Sequence, residues 1–280
     1  GFFSDKTPPA PVVFDSVTVA SGNLAALSWQ GSSDSDVVYY RIYRKDNGGF
    51  FQPIDSILAA DYPTSMPWVY ALSNAENESE TYLITAVDSC GNQSSVGNTT
   101  PSSTIFLNLG VDPCDGYARI RWNTYKGWTQ TQPAAYNLYA DITDPLGGTL
   151  TGVLLKGGNL DTTFNHYGII NGYTYCYYVR AVDTTGTISS TSNRECNSSA
   201  VVQKSKVLYL GRASVNSQNG VDLYAYIDPG ADVIDFNIQR ADDEIGPYMT
   251  IGTVAKPALG PWEVKFIDFT GDPTSRSYYY

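Results

Sequence analysis

YLITAVD at residues 82–88 and YYVRAVD at residues 177–183 are two copies of one pattern, each followed by a turn that contains a glycine. In the second copy Tyr177, Val179 and Ala181 share one face, which is the period of a strand with one buried side. The copies stand about 95 residues apart. A strand pattern repeated at that distance indicates a repeated β-domain of roughly 100 residues.

The sequence on either side of these strands repeats as well. Each repeat opens with two short strands, and the second strand carries Trp29 in the first repeat and Trp122 in the second. The third repeat has Ala225 at this place, so we expect a neighbouring aromatic, Trp262 or Phe266, to fill the space. An alternating strand follows in every repeat, at residues 40–44, 136–139 and 236–240. Short alternating segments separated by turn residues are typical of β-sandwiches.

The third repeat reaches the strand beginning Ser277-Tyr278-Tyr279-Tyr280 and goes no further. A sandwich that lacks most of one central strand and all of the next exposes a sheet edge and part of its core. We therefore expect either that the natural chain runs on or that a partner supplies the missing strands. The predicted organisation is a linker at 1–8 and domains at 9–103, 104–201 and 202–280, the last truncated in its sixth (F) strand.

Composition and charge exclude several classes of protein. The 280 residues include 42% hydrophobic residues and 22 tyrosines, which favours packed strands over disorder. The formal net charge is -11 and no cluster of Lys and Arg is visible, which excludes nucleic acid as a partner. No apolar run approaches the roughly 20 residues of a membrane-spanning helix.

Five runs carry a resemblance to a known family: WQGSSDSDVVYYRIYR (29–44), AVDSCGN (86–92), VDPC (111–114), YCYYVRAVD (175–183) and SNREC (192–196). In this order they resemble the fibronectin type III array that precedes the gliding motility-associated C-terminal domain of Bacteroidetes surface proteins. Together with the repeats, the resemblance predicts an all-β chain of three tandem fibronectin type III/immunoglobulin-like β-sandwiches, and the repeats make the third incomplete. It also implies an extracellular, adhesive or filament-associated protein exported by the type IX secretion system, with other surface or secretion-system proteins as partners.

The four cysteines are Cys90, Cys114, Cys176 and Cys196. The last two lie ten residues on either side of Gly186 in a predicted hairpin, so they face each other and can form a disulfide. This pairing leaves Cys90 with Cys114, which requires the domains to fold back on each other. Cys114 with Cys196 is the alternative pairing, and a further alternative is that some of the four are buried free thiols.

No residue pattern points to catalysis or to a cofactor. The single histidine, His166, has no nucleophile-elbow motif near it, and no Walker or dinucleotide-binding motif occurs. A C-x-x-C pair is also absent, which argues against a zinc site. Acidic loops at Asp34-Ser35-Asp36 and Asp242-Asp243-Glu244 are candidate calcium ligands, but neither matches the twelve-residue calcium loop, and solvated turns explain them better.

Two kinds of surface site remain. Trp68, Tyr125 and Trp128 lie outside the core-tryptophan position and are candidate binding aromatics for glycan or a partner protein; packing in a core or linker is the alternative. The family resemblance implies O-glycosylation at Asp-Ser or Asp-Thr pairs followed by an apolar residue or Thr. The matching residues are Ser16, Ser56, Thr162 and Thr184.

Three functions are compatible with these patterns. The first is a non-catalytic structural or adhesion segment that precedes a sorting domain. The second is a glycan- or protein-binding module that uses the loop aromatics. The third is an accessory region of a larger secreted hydrolase. Because one sandwich fold serves many functions, the fold cannot separate them.

Overall fold

Antiparallel β-strands make up nearly all the regular structure of this computed structural model, which describes residues 5–62, 67–128, 133–258, 260 and 262–280. The chain divides into two compact units, residues 1–200 and 201–280. In the described ranges, no helix has the length and apolar character needed to cross a membrane.

The first repeat is a sandwich of a three-stranded sheet, β1-β2-β5, and a four-stranded sheet, β4-β3-β6-β7. Trp29 on β2 is 1% exposed and its ring lies edge-on to Tyr40 of β3 at 5.7 Å, so the predicted tryptophan joins the two sheets. The strands are β1 (Val13–Val19), β2 (Ala25–Gln30), β3 (Val37–Lys45), β4 (Phe51–Leu58), β5 (Trp68–Val69), β6 (Thr81–Asp88) and β7 (Ser102–Ser103), with short 3-10 turns at Ala59–Asp61 and Val96–Asn98.

The second repeat has the same design. Sheet β12-β9-β8 faces sheet β11-β10-β13-β14, and β15 also pairs with β13. Trp122 packs edge-on against Tyr136 at 5.9 Å, as Trp29 does against Tyr40. The strands are β8 (Leu107–Asp112), β9 (Tyr117–Trp122), β10 (Ala135–Thr143), β11 (Thr149–Asn159), β12 (Thr163–Tyr167), β13 (Thr174–Val182), β14 (Ser189–Thr191) and β15 (Glu195–Ser198).

The third repeat forms the second unit and has five described strands. Sheet β16-β17-β20 accompanies a two-stranded sheet, β18-β19. Phe266 occupies the space between the sheets, where its ring covers Gly252 of β19 so closely that a Cβ there would lie 2.4 Å from it. Trp262 is 38% exposed, so Phe266 is the aromatic that fills this core. The strands are β16 (Leu208–Val215), β17 (Val221–Ile227), β18 (Asp235–Arg240), β19 (Met249–Ala255) and β20 (Glu263–Asp268).

One edge of the third repeat is open. Strands β3 and β10 each pair on both sides, with β4 and β6 or with β11 and β13, whereas β18 pairs with β19 alone among the described strands. A groove of about 420 Å³ runs beside β18 and is lined by apolar side chains of both sheets, including Leu210, Phe236 and Phe266. The prediction of an all-β chain built of tandem sandwiches is thus confirmed.

Candidate functional site

Tyr125 is buried where the first two sandwiches meet. Its side chain is 1% exposed, and its hydroxyl accepts a hydrogen bond from the Val17 amide of β1 at 3.0 Å. The same hydroxyl lies 3.2 Å from Ser102 Oγ, and burial raises the pKa of Tyr125. The prediction of Tyr125 as a surface binding aromatic is therefore wrong, because the ring joins two domains and has no face left for a ligand.

Further hydrogen bonds join the same two sandwiches. The Ser190 hydroxyl donates to the carbonyl of Val17 at 2.6 Å, and the Thr191 amide donates to Thr18 Oγ1 at 2.8 Å. Ser190 is fully buried. Buried polar groups with good partners fix a single arrangement, since each would be costly to leave unpaired. We call this contact between β1 and the second sandwich the junction.

Trp128 lies at the edge of the junction and is half-buried. Its indole N–H donates to the carbonyl of Asp15 at 2.6 Å, and its ring lies 4.5 Å from the ring of Tyr125. Gly127 precedes it with a φ of +130°, and a Cβ at this position would lie 2.0 Å from Ser102 Oγ. Only glycine permits this close approach, which sets the position of Trp128.

A cavity of about 600 Å³, here called the junction pocket, lies beside Trp128. Its wall includes Lys45 and Phe51 from the first sandwich and Lys126 from the segment that enters the second. Of the three predicted binding aromatics, Trp128 is the one that faces this pocket. The two lysines carried no sequence signal, because they stand about 80 residues apart and only folding brings them to one cavity.

Trp68 belongs to the packing of the first sandwich. It is half-buried, packs against the core cluster and stacks on Tyr70 with ring centroids 5.8 Å apart. Its packing favours the core interpretation over the binding one.

Cys176 and Cys196 form the predicted disulfide. They are directly paired across β13 and β15, with Cα atoms 4.0 Å apart. Cys90 and Cys114 are free and exposed, so the expected second bond between them is not formed, and neither is the alternative bond from Cys114 to Cys196. Cys90 lies in the turn after β6 and Cys114 in the turn between β8 and β9, which are loops of different sandwiches.

His166 is part of the second core. Its Nδ1 lies 3.0 Å from the hydroxyl of Tyr177, and burial lowers its pKa. Its ring also meets Tyr175 edge-on at 5.6 Å. A half-buried histidine in contact with two core tyrosines has a packing role.

Three carboxylates come together at one end of the first sandwich. Oxygen atoms of Asp5, Asp36 and Asp88 lie within 4.8 Å of one another. Burial alone would raise the pKa of Asp88, but hydrogen bonds from Asn92 and from the Cys90 amide hold it below its usual value. These hydrogen bonds explain how the Asp88 carboxylate is stabilised while buried. The cluster shows no second feature that indicates a bound ion. Among the described residues, the carboxylates of the other candidate calcium loop, at 242–244, form no such cluster. Asp242 instead forms an exposed ion pair with Arg276 at 2.9 Å.

Comparisons with protein-family models and with curated proteins found no match. Among solved structures, the chain is similar to the chicken interferon gamma receptor alpha chain, with 13% identity over 70% of this chain and 100% of that chain and a TM-score of 0.24. A two-domain fibronectin type III segment of chicken tenascin shares 14% identity over 69% of this chain and 100% of its own, with a TM-score of 0.25. The chicken CNTN1 FN1–FN3 domains share 13% identity over 93% of this chain and 88% of their own, with a TM-score of 0.21. The all-β sandwich fold follows from the strand pairing and the buried cores of the chain itself.

Proposed function

We propose that the chain is a non-catalytic segment of an exported surface protein, in which the first two sandwiches form one rigid body that positions neighbouring regions. The observation that supports this most is the junction. Its buried hydroxyls, from Tyr125 and Ser190, each bond to the backbone of Val17. Domains that are joined only by a flexible linker lack such fixed contacts and move freely relative to each other.

Two native cysteines allow a direct test of rigidity. Cys90 and Cys114 are exposed, belong to different sandwiches and can be spin-labelled without new substitutions, while the disulfide leaves the other pair unreactive. Electron double resonance between the labels should give one narrow distance distribution. Tyr125→Phe should broaden it and Tyr167→Phe, a change at an exposed tyrosine, should not. A broad distribution in the unaltered protein would contradict the proposal.

The cysteine bond supports export, since structural disulfides form and persist in oxidising compartments. We propose the type IX secretion system as the route, as the resemblance to the gliding motility-associated arrays implies, with the surface of the cell as the destination. The test is secretion of the natural protein in a strain with and without a working type IX system. Unchanged secretion in the defective strain would exclude this route.

We further propose that one more strand completes the third repeat, within the domain bounds 9–103, 104–201 and 202–280. Tyr279 already exchanges two backbone hydrogen bonds with Ala241, just after β18, at 2.8 and 2.9 Å. Polypeptide continuing from Tyr280 in this register would run antiparallel to β18 and place alternate side chains in the apolar groove. Support comes from the second repeat, where β13 pairs antiparallel with β10 in the same way.

Hydrogen exchange of β18 tests this completion. Amides of β18 should be protected in protein isolated from its source and exposed in the 280-residue chain. Protection that appears in the 280-residue chain only after a second protein is added would assign the strand to a partner instead, and absence of protection in both would refute completion.

We also propose O-glycosylation at the four predicted residues, which differ in their exposure. Ser56 and Thr184 are exposed, while Ser16 and Thr162 are half-buried. A glycosyltransferase acting on the folded chain would reach the exposed pair first. Peptide mass spectrometry of native material should find hexose-type increments at these two, and Ser56→Ala should remove one of them. Unmodified peptides at all four residues would exclude the proposal.

A further inference from the structure

The junction pocket differs in charge from the rest of the chain. The protein has 28 Asp and Glu residues against 17 Lys and Arg. Yet two lysines, Lys45 and Lys126, are part of the pocket wall, and no described Asp or Glu is. Within the described ranges neither ammonium group has a carboxylate within ion-pair distance. Two cations left without acidic partners on a strongly acidic protein leave their charge available to a ligand.

The pocket wall that carries Lys126 and Trp128 is held in place before any ligand arrives. The Lys126 carbonyl accepts hydrogen bonds from the Ser103 amide at 3.1 Å and from Ser102 Oγ at 2.9 Å. The indole N–H of Trp128 is bound to Asp15, and Tyr125 supports its ring. A preformed wall lowers the entropic cost of binding.

The remaining wall is aromatic and hydroxylated. Trp128 and Phe51 are half-buried and line the cavity, so part of each ring is accessible there. Thr81 Oγ1 and Ser103 Oγ lie 2.9 Å apart in a mutual hydrogen bond, and each hydroxyl keeps capacity for another partner. At about 600 Å³, the pocket falls in the range of small-molecule sites, roughly 300–1,000 Å³.

We propose that the junction pocket binds an acidic oligosaccharide, one that carries carboxylate groups on its sugar rings. The two ammonium groups would pair with carboxylates, the rings of Trp128 and Phe51 would contact the C–H face of a sugar, and the Thr81 and Ser103 hydroxyls would bond sugar hydroxyls. An acidic peptide would satisfy the lysines but would leave the aromatic faces and hydroxyls without matching groups. This site does not depend on the spacer role proposed above.

The test is calorimetry and NMR with a galacturonic acid trimer, with maltotriose as the neutral sugar and triglutamate as the acidic peptide. The acidic trimer should bind and shift the indole N–H signal of Trp128, and its affinity should fall as salt is added. Lys45→Gln combined with Lys126→Gln should weaken it by on the order of tenfold, the effect of losing two exposed ion pairs. Lys6→Gln, an exposed lysine outside the pocket, is the matched control.

Three results would each overturn the proposal. They are equal binding of maltotriose, equal or tighter binding of triglutamate, and unchanged affinity in the double variant. No heat and no shift with any probe would do the same. A folded two-dimensional NMR spectrum of the double variant keeps a loss of binding distinct from a loss of structure.

Discussion

Tyr125 decides how the first two sandwiches meet, because one hydroxyl serves both of them. It accepts from Val17 of β1 and lies next to Ser102, while its own amide donates to the hydroxyl of Tyr136 at 2.8 Å. Replacing Tyr125 with Phe leaves the Val17 amide buried without a partner, so the free energy of unfolding of residues 1–200 should fall by about 1–2 kcal/mol.

Chemical denaturation measures the loss at Tyr125, and hydrogen exchange at Val17 locates it. Tyr167→Phe serves as control because Tyr167 is 66% exposed, and it should change the free energy by less than about 0.5 kcal/mol. If both variants behaved alike, the Tyr125 hydroxyl would contribute no stability to the junction.

Asp268 makes the stability of the third repeat depend on pH. It is 1% exposed and pairs with Arg240 at 2.8 Å. Burial alone would raise its pKa, but hydrogen bonds from Thr270 and Arg240 lower it from 3.8 to about 2. Because the folded pKa is the lower one, its stabilisation of about 2 kcal/mol is complete above about pH 5 and is lost as pH falls through the folded pKa of about 2.

The test of this pH dependence is the free energy of unfolding of residues 201–280, followed in the 280-residue chain between pH 6 and pH 2. Asp268→Asn should destabilise this unit at pH 6 and flatten the pH profile. Asp242→Asn removes a pair of similar length whose side chains are 56% and 60% exposed, and should do neither. A wild-type profile that is flat below pH 4 would contradict the assignment.

At the scale of strands, the sequence predicted the features that depend on the period of side chains along a strand and on the positions of turns. The repeated strand at 82–88 and 177–183, the core tryptophans and the facing of Cys176 and Cys196 all follow from local spacing, and the structure confirms them. The burial of Tyr125 could not be predicted, since its partner Val17 is 108 residues away in sequence. The junction pocket was missed for the same reason, because its lysines meet only after two domains have packed.

The disulfide between β13 and β15 should stabilise the second sandwich, because the loop it closes lowers the entropy of the unfolded chain. Its cysteines are 20 residues apart, and a loop of that length corresponds to about 3 kcal/mol in the chain-entropy account. The paired change Cys176→Ser and Cys196→Ser should lower the free energy of unfolding by that amount. Cys90→Ser with Cys114→Ser removes two exposed thiols and should leave it within about 0.5 kcal/mol. A loss below about 1 kcal/mol in the first pair would refute the prediction.

At the scale of the whole molecule, the two units differ in how fully their sheets are closed. In residues 1–200 the central strands β3 and β10 have neighbours on both sides. In residues 201–280 every residue of β16 is exposed, and the groove beside β18 leaves apolar surface in contact with water. Less apolar burial means less stabilisation, so the units should not unfold together.

Urea denaturation of the 280-residue chain should therefore show two transitions, with residues 201–280 unfolding first. Hydrogen exchange followed by mass spectrometry assigns them: peptides covering β18 should exchange faster than those covering β10, its counterpart with two neighbours. The denaturant slope of the first transition should be the smaller one, because 80 residues expose less surface than 200. A single transition with equal protection of β18 and β10 would mean that the open groove costs the third repeat nothing, and that its five strands are sufficient for a stable fold.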